Sequence, residues 1–170
     1  MATKKGAKAR ETPALYKWSN EEIGQILSEM AAFWDMVKVD FKKRAYEMAA
    51  DDVRIFPEPL HEIYDRERAD GLRKIPNVGP RIAKHIEELL TTGHFHEYEE
   101  FKKKFPINLS ELLELGGLGP RKIRDLWIHL KVANIEDLER VCREGKVRTL
   151  PGFGIKSEEK IVNAIEERKK

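Results

Sequence analysis

The chain has 170 residues, of which 41% are hydrophobic and 36% are charged, a balance typical of a folded globular protein rather than a disordered one. No apolar stretch approaches the roughly 20 residues that a membrane-spanning helix needs, and the basic N-terminal residues lack the apolar core of a secretory signal, so we expect a cytoplasmic protein. The single cysteine, Cys142, excludes an internal disulfide and every zinc site built on paired thiolates.

Charge is distributed unevenly along the chain, although the formal net charge is only +2. Residues 1–20 hold five Lys or Arg against one acid, whereas residues 21–64 hold five against ten. A local basic face decides nucleic-acid binding more than the total charge does. The total therefore leaves nucleic acid open as a partner, but it argues against bulk electrostatic coating of DNA.

Apolar residues recur at helical spacing through most of the chain, and alternating strand patterns are missing, so we predict an all-α fold. Ser19 and Glu22 fit a capping box that starts a first helix. A second helix places Phe41 and Tyr46 on its apolar face and ends before Pro57, which cannot continue it. Further helices are predicted near residues 60–64, 81–90, 95–104, 109–115, 121–130, 135–144 and 157–167.

Three short segments repeat one pattern, in which an apolar residue stands between two turn-forming residues and a basic residue follows the last glycine by two positions. These segments are 75–82, 115–123 and 150–156. We predict a helix-hairpin-helix unit at each, so that the fold is a tandem of such motifs in two small helical subdomains. The expected division is a flexible basic tail (1–17), a domain with the first hairpin (18–105) and a domain with the second and third hairpins (106–170).

The chemistry of this hairpin indicates a site for phosphate. Its Gly and Asn residues, Gly119 and Gly154 among them, permit positive φ and close backbone approach. The following helix begins with free N–H groups, beside which the basic residue adds a full charge. Because backbone amides do not read base edges, we expect contacts that are independent of sequence. The hairpin residues predicted to bind DNA are Asn77, Gly79, Arg81, Gly117, Gly119, Arg121, Lys122, Gly152, Gly154 and Lys156. The alternative is a set of loops that merely join helices.

A second basic feature lies at the start of the second helix. Lys42, Lys43 and Arg44 form a patch, and Tyr46 follows Lys42 by one helical turn. A tyrosine in this place can stack on a sugar or bond to it. The alternative is a solvated basic face beside a tyrosine that belongs to the core.

The segments 41–46, 72–79, 92–93 and 150–154 resemble the amino-terminal part of family X DNA polymerases, the DNA polymerase beta type. The third hairpin is closest to the bacterial and archaeal branch. In that family a lyase-type domain, here 18–105, binds the 5′-phosphate side of a DNA gap and precedes a fingers domain, here 106–170. The resemblance implies phosphate and sugar contacts for Lys42, Tyr46, Arg73 and Arg81. It also implies gapped, nicked or 5′-phosphate-bearing DNA as the partner, a role in base excision repair, a place at the nucleoid and a monomeric state.

The chain departs from the lyase members of that family at one position. Those members have a Schiff-base lysine where this chain has His85, and an imidazole cannot form an imine with an abasic sugar. Lys84 points about 100° away around the helix. Lys84 and Lys42 are therefore the candidates for any weak 5′-deoxyribose phosphate lyase activity, which stays one alternative function. A helical adaptor whose hairpins contact protein is another.

Polymerase chemistry needs clustered carboxylates that hold two metal ions. The Gly-Ser turn and Asp-x-Asp pair by which family X polymerases supply them do not occur in these 170 residues. We therefore expect a DNA-binding region without a palm domain, either a part of a longer polymerase or a stand-alone relative. No cofactor is expected, and a Na⁺ or K⁺ ion at hairpin carbonyls is the single candidate metal.

Overall fold

The computed structural model describes residues 14–170, and the tail predicted over 1–17 lies largely outside these described residues. Residues 14–170 contain helices and no strand, which confirms the all-α prediction. The helices are α1 (Asn20–Met36), α2 (Asp40–Ile55), α3 (Leu60–Leu72), α4 (Pro80–Thr92), α5 (His96–Lys104), α6 (Leu109–Leu113), α7 (Pro120–Leu130), α8 (Ile135–Arg143) and α9 (Ile155–Arg168). A short 3-10 turn, Val147–Thr149, precedes α9. No helix in the described range combines the length and the apolar character needed to cross a membrane.

Local signals place several helix ends at or within two residues of their predicted positions. The capping box at α1 is present, because the Ser19 hydroxyl accepts the amide of Glu22 and the Glu22 carboxylate accepts the amide of Ser19. The second helix ends at Ile55, before Pro57. The last helix begins at Ile155, two residues earlier than predicted, because Gly154 already takes the extended N-cap conformation.

Two hydrophobic cores form, and α1 contributes to both. Leu27 and Met30 pack in the first core with α2, α3 and α4, whereas Phe33 and Met36 pack in the second core with α6 to α9. One helix therefore links the part of the chain that carries the first hairpin to the part that carries the other two. Phe41, predicted on the buried face of α2, is instead 74% exposed.

Candidate nucleic-acid interface

Each predicted hairpin is a tight turn between helical segments. In the first, the amide of Val78 donates to the carbonyl of Ile75 at 3.1 Å, and in the third the amide of Phe153 donates to that of Leu150 at 3.1 Å. The central apolar residue anchors each turn: Val78 and Leu118 are buried, and Phe153 packs against the second core. The three repeated segments therefore present similar backbones on a fixed base.

Left-handed backbone occurs before the apolar residue of each hairpin and not after it. The values of φ are 62° at Asn77, 72° at Gly117 and 82° at Gly152. The closing glycines have φ of −81° at Gly79, −86° at Gly119 and −146° at Gly154. Our expectation of positive φ at Gly119 and Gly154 is therefore wrong. These residues are helix N-caps, and an N-cap takes extended backbone.

The closing glycines, Gly79, Gly119 and Gly154, leave open space where a side chain would stand. A Cβ atom added at any of them meets no heavy atom within 4 Å. No side chain caps the helices that they start, whereas Ser19 caps α1 and Asn134 caps α8. The first amides of α4, α7 and α9 therefore face an unobstructed surface, and an anion could approach them closely.

The predicted basic residues differ in how far the chain itself occupies them. Arg73 and Lys156 are exposed, and neither forms an ion pair within residues 14–170. Arg81 is 61% exposed and touches Glu97 at 3.3 Å. The ammonium of Lys122 lies 5.4 Å from the centre of the Phe153 ring, which places the second and third hairpins side by side. Each of these cations lies within a hairpin segment or two residues before one.

Arg121 is the exception among the basic hairpin residues. Its Nε donates to Oδ1 of Asp35 at 3.0 Å, and its Nη2 donates to Oδ1 of Asp40 at 2.9 Å. The guanidinium thus points toward α1 and α2. Because the side chain is 47% exposed, a contact between Arg121 and DNA, as the sequence predicts, would use the donors that these two carboxylates leave free.

A cavity lies between the second and third hairpins. Its lining includes the glycines Gly116 and Gly117, the hydroxyl-bearing Ser157 and the amines of Lys122 and Lys160. No Asp or Glu belongs to this lining. The cavity is therefore positively charged and suited to a phosphate group.

Four polar atoms are buried near the first hairpin, where α1, α2, α4 and α5 meet, and we call the group formed by Trp34, Tyr46, His85 and Glu97 the polar pocket. Trp34 Nε1, the Tyr46 hydroxyl and both ring nitrogens of His85 are buried there without a hydrogen-bond partner. Buried polar groups are nearly always paired in folded proteins. Charged groups lie beside them, Arg81 next to the Tyr46 hydroxyl and Glu97 next to His85 Nε2.

Tyr46 belongs to the core, as the alternative interpretation of the sequence has it. The side chain is 2% exposed, so its ring has no open face for stacking on a nucleotide. Burial, reinforced by the nearby Glu97 carboxylate, raises the pKa of Tyr46 to about 12. The hydroxyl therefore keeps its proton and can act as a neutral hydrogen-bond donor.

His85 occupies the centre of this pocket. Its Nε2 lies 3.0 Å from Oε2 of Glu97, outside hydrogen-bonding geometry, and its ring centre lies 4.3 Å from that of Phe95. Burial lowers the pKa of His85, and the Glu97 carboxylate opposes this only in part. The imidazole is therefore mainly neutral near pH 7.

The two lysines considered for lyase chemistry occupy different places in the fold. Lys84 is exposed on another side of α4. The ammonium of Lys42 lies 4.0 Å from the centre of the Trp34 ring, at the edge of the pocket. Trp34 and Glu97 are the pocket residues that the sequence analysis missed, because no local pattern signals that α1 and α5 meet at His85.

Comparison with known proteins agrees with this geometry. A family model described as a helix-hairpin-helix domain matches residues 18–95, and a SAM-like helix-hairpin-helix tandem matches residues 109–167. The DNA polymerase/3′-5′ exonuclease PolX of Bacillus subtilis is 33% identical over 149 residues, which cover 86% of this chain and 25% of that protein.

Two eukaryotic proteins show a similar relationship. The DNA polymerase type-X family protein pol4 of Schizosaccharomyces pombe is 32% identical over 94 residues, 55% of this chain and 17% of that protein. DNA polymerase lambda of Arabidopsis thaliana is 26% identical over 120 residues, 69% of this chain and 22% of that protein. The chain thus spans about a quarter or less of the length of these relatives. Residues 18–95 and 109–167 are thus helix-hairpin-helix domains, and most of the chain is similar to a part of family X DNA polymerases.

Proposed function

We propose that this chain binds the sugar-phosphate backbone of DNA without regard to sequence, in DNA repair, and prefers gapped or nicked duplex with a 5′-phosphate. The observation that carries the proposal is the repeated glycine N-cap. Gly79, Gly119 and Gly154 leave space that the fold does not need, in front of amides that no side chain caps. An approaching phosphate uses both the space and the amides.

The hairpins supply the part of the affinity that any DNA backbone would gain. Amide contacts and nearby cations such as Arg73 and Lys156 recognise phosphates and read no base. The cavity between the second and third hairpins, with Lys122 and Lys160, gives these two hairpins a shared place for one strand. We infer that both act on the same stretch of backbone.

The polar pocket supplies the preference for a 5′-phosphate. A terminal phosphate carries more charge and more free oxygens than a phosphodiester within a strand. Arg81 is exposed and would contribute a full positive charge to its oxygens, and the buried Tyr46 hydroxyl lies next to the Arg81 guanidinium and to Trp34. Intact duplex has no such end and would use the hairpins alone.

The chemistry of the pocket favours binding over lyase catalysis. A neutral imidazole at His85 forms no imine, and the Lys42 amine lies over the Trp34 ring. We therefore expect little or no borohydride-trapped adduct with an incised abasic site. Strong trapping that is lost on mutating Lys42 or Lys84 would establish the lyase alternative instead.

Fluorescence anisotropy at fixed salt tests the proposal. Gapped DNA with a 5′-phosphate should bind more tightly than the same DNA without it, and intact duplex should bind most weakly. Arg81→Ala should remove most of the 5′-phosphate advantage, since it deletes the exposed cation beside the pocket. Lys84→Ala, an exposed change on the same helix, is the matched control and should keep it.

Two outcomes would contradict the proposal. Equal affinity with and without the 5′-phosphate would remove the assignment of the pocket and leave only general backbone binding. Binding that is weak and independent of salt would remove backbone recognition itself, because phosphate contacts release counterions. The adaptor alternative, in which the hairpins contact protein, would then be favoured.

A further inference from the structure

The carboxyl end of α1 is held by two arginines of α7. Asp35 is buried, and its carboxylate accepts Arg121 Nε at 3.0 Å and contacts Lys43 Nζ at 3.4 Å. Arg124 Nη1 donates to the carbonyl of Met36 at 2.6 Å. We call this group, Asp35 and the Met36 carbonyl with Arg121 and Arg124, the α1–α7 clamp.

The clamp supplies positive charge at the C-terminal end of α1. The last turn of this helix contains no basic residue of its own, although its free carbonyls favour positive charge. Arg121 and Arg124, three residues apart on one side of α7, supply that charge. Burying an unpaired carboxylate costs free energy, and Arg121 and Lys43 pair the buried Asp35. The arrangement therefore resists separation of α1 from α7.

The clamp also connects the first hairpin to the second. Asn77 of the first hairpin donates to the carboxylate of Asp52 on α2, and α2 packs along α1. Asp35 then joins α1 to Arg121, two residues after the glycine that closes the second hairpin. A continuous path of packed and hydrogen-bonded groups thus runs between the two hairpins.

We propose that Asp35 and Arg121 are positioning residues that fix the separation of the first and second hairpins and so select the length of the gap that the chain binds. This inference rests on the proposed function, in which both hairpins hold DNA. Two binding points at a fixed separation hold a matching DNA with little ordering cost. A gap of another length must be deformed before both points engage it.

Affinity measured over a series of gap lengths tests the inference. Wild type should show an optimum length. Asp35→Asn and Arg121→Gln should both weaken binding at that optimum, roughly tenfold, and both should flatten the dependence on length. Asp65→Asn is the control, because it removes one exposed carboxylate that forms no ion pair within residues 14–170, and it should keep the optimum.

The rival explanation is that Arg121 contacts a phosphate and Asp35 merely competes with it. In that case Asp35→Asn would tighten binding and Arg121→Gln would weaken it, and these opposite signs would overturn the inference. An unchanged length profile in both variants would overturn it as well. Failure of wild type to bind any gapped DNA would instead remove the proposed function on which the inference rests.

If Asp35→Asn folds poorly, Arg121→Lys tests the same inference. The change is on a half-exposed side chain and keeps the positive charge, but an ammonium cannot reproduce the forked contact with Asp35 and Asp40. The salt dependence of binding should then stay at its wild-type slope while the length profile flattens. An unchanged length profile in Arg121→Lys together with a reduced salt slope in Arg121→Gln would identify Arg121 as a phosphate contact and overturn the inference.

Discussion

Replacing Gly79 by serine should raise stability and lower DNA affinity at the same time. Gly79 is the N-cap of α4, with φ of −81° and ψ of −177°, a backbone that serine N-caps also adopt. A Cβ atom there meets no heavy atom within 4 Å, so the side chain fits without strain. Its hydroxyl would accept the amide of Arg81 or Ile82, the groups that we propose for phosphate.

The two effects are large enough to separate. Serine should raise the free energy of unfolding by roughly 0.5–1 kcal/mol, because it caps the helix slightly better than glycine and restricts the unfolded chain. In a chain of this size that corresponds to a melting temperature higher by about 1–4 °C. A lost hydrogen bond to a charged group costs about 1.5–3 kcal/mol, so DNA affinity should fall about tenfold to hundredfold.

Thermal denaturation and anisotropy with gapped DNA measure the two quantities on the same samples. Gly79→Ala adds a Cβ atom without a hydroxyl, so it separates obstruction of a close approach from competition for the amides. We expect Gly79→Ser to bind more weakly than Gly79→Ala. A serine variant that is more stable and binds DNA as tightly as wild type would refute the assignment of these amides to phosphate.

Three further predictions follow from the geometry. Gly152→Ala should lower the free energy of unfolding by about 1–2 kcal/mol in urea denaturation, since φ there is 82°; an unchanged midpoint would contradict the turn. If about six phosphates are contacted, log K should fall with log salt at a slope near −5, and Arg81→Ala should flatten it by about one unit in a salt titration. Because burial lowers the pKa of His85, the free energy of unfolding should fall as pH drops below about 6.5. His85→Gln should lack that part of the pH dependence, and a parallel fall in both proteins would assign it to other groups.

The helices and hairpins could be predicted because their signals are local. The capping pair Ser19 and Glu22, the break at Pro57 and the glycine that closes each hairpin act within a few residues of themselves. Three copies of the hairpin pattern indicate one repeated structural unit, whereas a single copy would also be typical of an ordinary loop. The backbone of the candidate site could therefore be predicted from the sequence.

The side-chain contacts in the site could not be predicted in this way. Asp35 and Arg121 meet only because α1 ends against α7, and no spacing in the sequence records that contact. On α2, Phe41 and Tyr46 are five residues apart and so stand about 140° apart around the helix, and one buried face does not hold both, although we predicted that it would. Packing on α1 buries the face with Tyr46 and leaves Phe41 in solvent.

Tertiary contacts make the three hairpins different although their local sequences are alike. The third is braced by buried Glu158, which accepts the amide of Arg148 at 2.8 Å and its Nη2 at 2.7 Å in the turn before the hairpin. The second holds its arginine, Arg121, against α1. The first leaves Arg73 without an ion pair within residues 14–170 and Arg81 in one exposed contact. Since only cations that reach phosphate release counterions, the salt dependence of binding should come more from Arg73 and Arg81 than from Arg121.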